Sequence, residues 1–261
     1  MSVIKKRAYT ILTVGILVAA YVLFSIELPH KLEFRDRSFP RGFRELALDG
    51  AASKLDPLYG FKQASTPASR LNAREVCDAL FQDPRSPSFG SPDGQLQIVA
   101  FLDYRCPYCK KLSSVLSQLQ KEKIRIVYKE WPILGESSVL AANAGLAADK
   151  QGKYLEFHAR LMNSRLIPTI AYINEIAVDL GINKSQLLRD MTSEITAHAL
   201  ERTSELASAL GLVGTPALVI GRTIVQGEIS RRVLERLIDD EIGNAKTPCL
   251  AGLGALDLPG W

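Results

Sequence analysis

The sequence predicts an α/β domain whose pattern is interrupted by a long all-helical stretch, set behind an apolar N-terminal segment. Three observations predict it. An apolar run rich in β-formers around Ile98–Leu102 leads into Cys106-Pro107-Tyr108-Cys109, and a helical pattern follows at once. From Ser137 to Leu210 the chain reads wholly as helix. Two short strands, Ala217–Ile220 and Thr223–Gln226, and one amphipathic helix then restore the α/β pattern.

The length of 261 residues leaves room for a membrane segment and one or two domains with a proper core. Lys and Arg total 32 against 28 Asp and Glu, a net charge of +4. No basic stripe interleaved with aromatics occurs, so nucleic acid is not an expected partner.

Met1–Ile26 reads as a targeting segment. Lys5, Lys6 and Arg7 precede 19 uncharged residues, Ala8–Ile26, and Glu27 ends the run. As a helix this run would be about 28 Å long, close to the hydrocarbon thickness of a bilayer. A cleaved signal peptide is the rival, but no Ala-X-Ala site follows the apolar core, so an uncleaved anchor over residues 8–26 is expected. The positive cluster stays cytoplasmic, which exports the rest of the chain. The expected location is the inner membrane, single-pass, with the catalytic domain in the periplasm; a cleaved protein would be secreted to the periplasm.

Residues 27–72 read as a stalk. Charges of both signs alternate through it and Gly and Pro break it, while Leu32, Phe34, Phe39, Phe43, Leu46 and Phe61 make it greasier than a simple tether. It is either a linker lying on the domain or a self-association element. Ala73–Gln82 is a short helix with Val76, Leu80 and Phe81, and it carries Cys77. Asp83–Gly94, with two Ser-Pro pairs and a closing Asp-Gly, reads as turns.

Behind the Cys-X-X-Cys, Leu112, Val115, Leu116 and Leu119 form a core-facing stripe of 3.6-residue period. Ile124–Tyr128 is the next strand. The helical stretch, about 137–210, contains His158 and His198, which read as satisfied or surface histidines because no cysteine or carboxylate cluster goes with them. Gly221-Arg222 suits a two-residue hairpin turn, and Ser230 caps the last helix. Residues 243–261 form a tail with Cys249.

The Cys-X-X-Cys sits where a strand hands over to a helix. Cys106 falls at the exposed helix start, where unpaired N–H groups and the positive end of the dipole favour a thiolate. Cys109 lies one turn further in, and Pro107 costs the helix nothing in its first turn. Such a pair can close a disulfide and reopen it, so the site reads as redox-active. A structural zinc would need a second ligand pair of similar spacing, which Cys77 and Cys249 do not form. A purely structural disulfide across so short a loop would constrain little chain entropy. No metal or other cofactor is expected.

Phe-Leu-Asp-Tyr-Arg-Cys-Pro-Tyr-Cys-Lys-Lys at 101–111, Trp-Pro-Ile-Leu-Gly at 131–135 and Gly-Thr-Pro at 214–216 together resemble the DsbA-like thiol–disulfide oxidoreductases, over about Asp83–Ile242. The resemblance implies a thioredoxin fold with an inserted α-helical domain, a DsbA-like unit spanning 73–242. It implies that Cys106 attacks or is attacked and that Cys109 resolves the mixed disulfide. It also implies a cis Pro216 facing the cysteines, so that Thr215 and Pro216 border a substrate-docking edge, with Pro107 and Tyr108 as active-site neighbours. A trans proline starting a strand is the plainer reading of Pro216. In one respect the chain departs from the family. Thioredoxin-like proteins often carry a buried acid six residues before the first cysteine, and here that position is Ala100.

The expected partners are unfolded or partly folded exported proteins with thiols, and a membrane redox partner that resets the site. Oxidase activity is expected ahead of isomerase or reductase activity, and a Cu(I)-handling thiol module is the alternative of another class. Cys77 and Cys249 flank the domain, whose ends are expected to lie close together. In an oxidising compartment they are expected to pair; two buried, inert thiols are the alternative.

Overall fold

A computed structural model describes residues 32–47, 71–119, 122–244 and 249. The described residues from 34 onward form one compact unit; of the other unit, residues 1–33, only the last two are described. The predicted anchor, residues 8–26, therefore lies outside the described residues. Among the described residues, no helix is long and apolar enough to cross a membrane.

A seven-stranded sheet has the order β1 (Glu33–Asp36), β2 (Arg44–Ala47), β7 (Thr223–Gln226), β6 (Ala217–Ile220), β4 (Leu96–Leu102), β5 (Ile124–Glu130), β3 (Ser88–Gly90). Within it β4 is flanked by parallel β5 and antiparallel β6. β7 (Thr223–Gln226) continues from β6 through a tight turn, where Gly221 takes a φ of 53°. Glycine is required there twice over, because a Cβ would also come within 2.5 Å of Glu241 Oε2.

Between β5 and β6 lie five helices: α3 (Glu136–Asp149), α4 (Tyr154–Asn163), α5 (Ile170–Asp179), α6 (Lys184–Met191) and α7 (Glu194–Ala209). This is a thioredoxin fold with a helical insertion. The last part of the helical stretch is divided between α6 and α7, because Ser193 caps the start of α7 through Thr196 N–H. Helix α1 (Ala73–Phe81) opens the unit, with Asn72 and Glu75 forming a reciprocal capping box; α2 (Pro107–Leu116) follows β4, and α8 (Arg231–Gly243) closes it.

Side-chain alternation divides the central strands between two layers. Val99, Phe101, Val127 and Trp131 join Val76, Leu80, Leu206 and Ala207, so one face is covered by α1 and α7. The even-numbered side chains face the other way, where Tyr128 meets Tyr154 and His158 of α4 and α4 in turn contacts α2. That second face carries the cysteines.

Two departures from the sequence reading concern strands. Within the predicted stalk of residues 27–72, β1 (Glu33–Asp36) and β2 (Arg44–Ala47) belong to the sheet, β2 running parallel to β7. Charge hid this strand, because its Arg44 is buried against Glu241 at 2.6 Å, Asp240 at 2.5 Å and the Thr223 hydroxyl at 2.7 Å, with its guanidinium 3.4 Å from the Phe34 ring centroid. Within the predicted turns of 83–94, Ser88–Gly90 forms β3, an edge strand too short for its pattern to register. Cys77 of α1 and Cys249 are joined by a disulfide across a sequence separation of 172.

Candidate active site

Cys106 is the N-cap residue of α2 and Pro107 starts the helix. The last residue of β4, Leu102, is followed by Asp103, whose carboxylate organises the connection. It accepts from Arg105 N–H at 2.7 Å, Ile133 N–H at 2.8 Å, Leu134 N–H at 3.0 Å and the Ser138 hydroxyl at 2.7 Å. One buried side chain thus ties the loop before α2 to the loop after β5 and to α3, and fixes where the helix begins.

The backbone N–H of Asp103 approaches Cys109 Sγ at 3.4 Å, and Cys106 Sγ donates to the Thr215 carbonyl at 3.3 Å. Thr215 therefore lies against Cys106, and its peptide bond to Pro216 is cis. Both cysteines are unpaired thiols here. Cys109 is fully buried, and Cys106 is only 4% exposed, not the open helix start that the sequence suggests, because Thr215 lies over it. Tyr108 between them is 45% exposed with Lys111 near its ring, and Pro107 is exposed.

The two thiols are driven apart electrically. Hydrogen bonding from Cys109 does most to lower the Cys106 pKa, to about 6; the Thr215 side chain and backbone N–H groups of the first turn add to it against the cost of burial. The Thr215 carbonyl can only accept, so that contact favours the neutral thiol, and the donors outweigh it. Burial pushes Cys109 strongly upward, and hydrogen bonding with Cys106 raises it further. One sulfur is poised as thiolate and its neighbour is held as thiol, the division a thiol–disulfide exchange centre needs. Among the described residues, no group of three or more His, Cys, Asp or Glu is gathered to hold a metal.

Beside this pair lies a polar cluster that the motifs do not mark. Glu130, at the end of β5, accepts from the Tyr104 and Tyr154 hydroxyls at 2.6 Å each. His158 meets the Tyr104 hydroxyl at 3.1 Å through Nδ1 and the Ser113 hydroxyl at 3.0 Å through Nε2. His158 is thus a satisfied, buried histidine, while His198 is exposed beside Glu201. Glu130 ends a strand that also carries Arg125 and Lys129, so its charge gave no separate signal for this cluster. The position of Ala100 is fully buried.

The thioredoxin family model matches residues 82–240. A thioredoxin-like oxidoreductase from Silicibacter pomeroyi is 37% identical, over 62% of this chain and 95% of that one, with a TM-score of 0.58. Proteus mirabilis ScsC in a compact conformation is 32% identical over 69% of this chain and 83% of that one, with a TM-score of 0.62. A probable disulfide bond formation protein D from Bacillus anthracis is 24% identical over 62% of this chain and 81% of its own length. Fold, thiol pair and relatives together define the class, a thioredoxin-fold thiol–disulfide oxidoreductase. The chain belongs to the thioredoxin family, and within it to the DsbA-like enzymes.

Proposed function

We propose that this chain is a membrane-anchored periplasmic enzyme that introduces disulfides into exported proteins through Cys106 and Cys109. The observation that carries the oxidase direction is the lowered pKa of Cys106. A stabilised thiolate stabilises the reduced enzyme, and a disulfide whose reduced form is stable is a strong oxidant.

A client thiolate attacks Cys106 Sγ, the Cys106–Cys109 bond breaks, and Cys109 leaves and takes a proton. A second client thiolate then attacks the client sulfur of the mixed disulfide, forming the client's own disulfide and releasing Cys106 as thiolate. A low leaving-group pKa speeds that release. Thr215, within hydrogen-bond reach of Cys106, borders the path by which an extended client segment would approach. A membrane redox partner removes the two electrons and restores the disulfide.

The charged start and apolar run at 5–26 support an anchor, as argued above. The Cys77–Cys249 bond suits an oxidising compartment. A Salmonella enterica relative, 31% identical, is described as a periplasmic thioredoxin-like protein. The domain limits proposed are an anchor at 1–26, a connecting region at 27–72 whose two strands join the sheet, the redox unit at 73–242, and the tail at 243–261.

The test is the reduction potential of the Cys106–Cys109 couple, measured in glutathione redox buffers. A value well above the thioredoxin level of about −270 mV, toward the DsbA level of about −120 mV, is expected. A value at or below the thioredoxin level would overturn the oxidase reading in favour of a reductase.

A further inference from the structure

We propose that Glu130 is the buried proton store of this redox centre, held by Tyr104 and connected to helix α2 through His158 and Ser113. The proposal rests on Cys106 and Cys109 being the redox pair. Glu130 touches neither sulfur and is a positioning residue, acting through Tyr104, His158 and Ser113, the last of which lies on α2 four residues beyond Cys109.

Strand register places it. Ala100 of β4 pairs with Tyr128 and Leu102 pairs with Glu130, so Glu130 lies one strand across and two residues along from Ala100. All four alternate onto the same face of the sheet, the one that carries α2 and α4. The carboxyl absent from β4 is thus supplied by β5. The neighbouring peptide, Asp103 N–H, is the one that contacts Cys109 Sγ.

The hydrogen bonds have one consistent direction. Tyr104 has a single O–H, and it is donated to Glu130 Oε1. The Tyr104 oxygen must then accept from His158 Nδ1–H, which leaves Nε2 to accept from the Ser113 hydroxyl. The chain Ser113, His158, Tyr104, Glu130 is therefore aligned to carry a proton towards the carboxylate, and in the opposite sense once the carboxyl is loaded. Ser113 lies four residues beyond Cys109 on α2, on the same side of the helix. It is also the one member of the chain that is partly exposed, so it provides the route to solvent.

Other groups facing Glu130 do not compete for this role. Asp103 is held by four donors and has no oxygen to spare. Tyr128 and Tyr154 are buried phenols whose pKa values burial raises. Burial holds His158 neutral, with its pKa near 3. On the α3 side stands Gly145, where a Cβ would come within 2.8 Å of the Tyr104 hydroxyl. Glu130 Oε2, by contrast, is buried with no hydrogen-bond partner among the described residues, so the carboxylate charge is only half satisfied and burial favours its protonated form. Burial, with the charge of Asp103, raises its pKa to about 8 despite the two tyrosine donors.

When a client thiolate opens the Cys106–Cys109 bond, the electron pair passes to Cys109 Sγ, the proton comes from the Glu130 carboxyl, and solvent reloads the acid through Ser113. In the reverse step the Cys109 thiol gives its proton to the Glu130 carboxylate. The Cys109 thiolate then attacks Cys106 Sγ of the mixed disulfide and expels the client thiolate.

The experiment loads Cys106 of the full chain with glutathione and follows resolution by Cys109 from pH 6 to 9, in wild type and in Glu130→Gln. Wild type should speed up through an inflection near pH 8. The variant should lose that inflection and resolve about a hundredfold more slowly at pH 8, the low end of general-base effects. A mixed disulfide that forms and resolves within twofold of wild type at every pH would overturn the proton store alone. Failure to form any mixed disulfide at Cys106 would overturn the redox-pair reading itself. Should the variant not fold, infrared difference spectra of oxidised and reduced wild type decide the matter. A protonated-carboxyl band that differs between the two states with a midpoint near pH 8 supports the store, and its absence overturns it.

Discussion

Cys106 and Cys109 differ by one helical turn and by almost everything that controls reactivity. With its pKa near 6, Cys106 should be alkylated half-maximally close to pH 6 in the reduced protein, while Cys109 stays unmodified beyond pH 9. Peptide mapping after a short iodoacetamide pulse reads this directly, and earlier labelling of Cys109 would reverse the roles. Cys109→Ala should accumulate mixed disulfides with client proteins through Cys106, visible as reducible adducts on non-reducing gels; a variant that accumulates none would remove Cys109 as resolving thiol. This asymmetry was legible in the sequence, because a strand running into Cys-Pro-Tyr-Cys fixes which cysteine caps the helix. The burial of Cys106 was not, since Thr215 covers it from the loop before β6, more than a hundred residues away. Glu130 was equally hidden. Its partners come from the β4–α2 loop and from α4, and only the folded chain brings Tyr104, Tyr154 and His158 around it.

At the scale of elements, the long apolar strands and capped helices could be read locally, and the short edge strands could not. Residues 96–102 and 217–226 carry their own β pattern, whereas β2 is a strand only because β7 and α8 receive its arginine. That dependence makes β2 sensitive to charge. Arg44→Met keeps the length and apolar stem of the side chain but leaves Glu241, which is 5% exposed, without its cation. The expected loss is about 3–5 kcal/mol, the usual cost of stranding one partner of a buried pair. Adding Glu241→Gln to Arg44→Met should recover part of it. Urea unfolding of the two variants measures both values, and a loss for Arg44→Met below about 1 kcal/mol would mean that the edge strand contributes little.

For the whole molecule, opposed buried groups set the pH range of stability. His158 has a folded pKa near 3 against an ordinary value of 6.5, so its contribution is present above pH 6.5 and fades as pH falls towards 3. Asp83, which burial opposes but Lys129 and neighbouring donors hold down to about 2, adds acid sensitivity as pH falls from 3.8 through 2. Glu130 runs the other way. Its raised pKa contributes stability that is complete below its ordinary 4.5 and is lost as pH rises through about 8. Thermal unfolding should therefore peak in mildly acidic to neutral solution, and Glu130→Gln should flatten the decline between pH 6.5 and about 8. An unchanged alkaline limb in that variant would rule Glu130 out as its source.

The bond between Cys77 and Cys249 has a mechanical meaning. On the chain-entropy model, closing a loop with a separation of 172 stabilises the fold by up to about 5 kcal/mol. Under tension the effect is of another kind. A pull between residue 71 and the C-terminus would travel through two sulfur atoms and bypass everything between them. The sheet, the helical insertion and both active cysteines would hang from the loaded line as slack, feeling none of the force. In a single-molecule stretching experiment, the oxidised protein should lengthen only by residues outside the loop. Reduction of that bond should release the hidden length in one further step, and only then would a pull at the ends be able to open the redox centre.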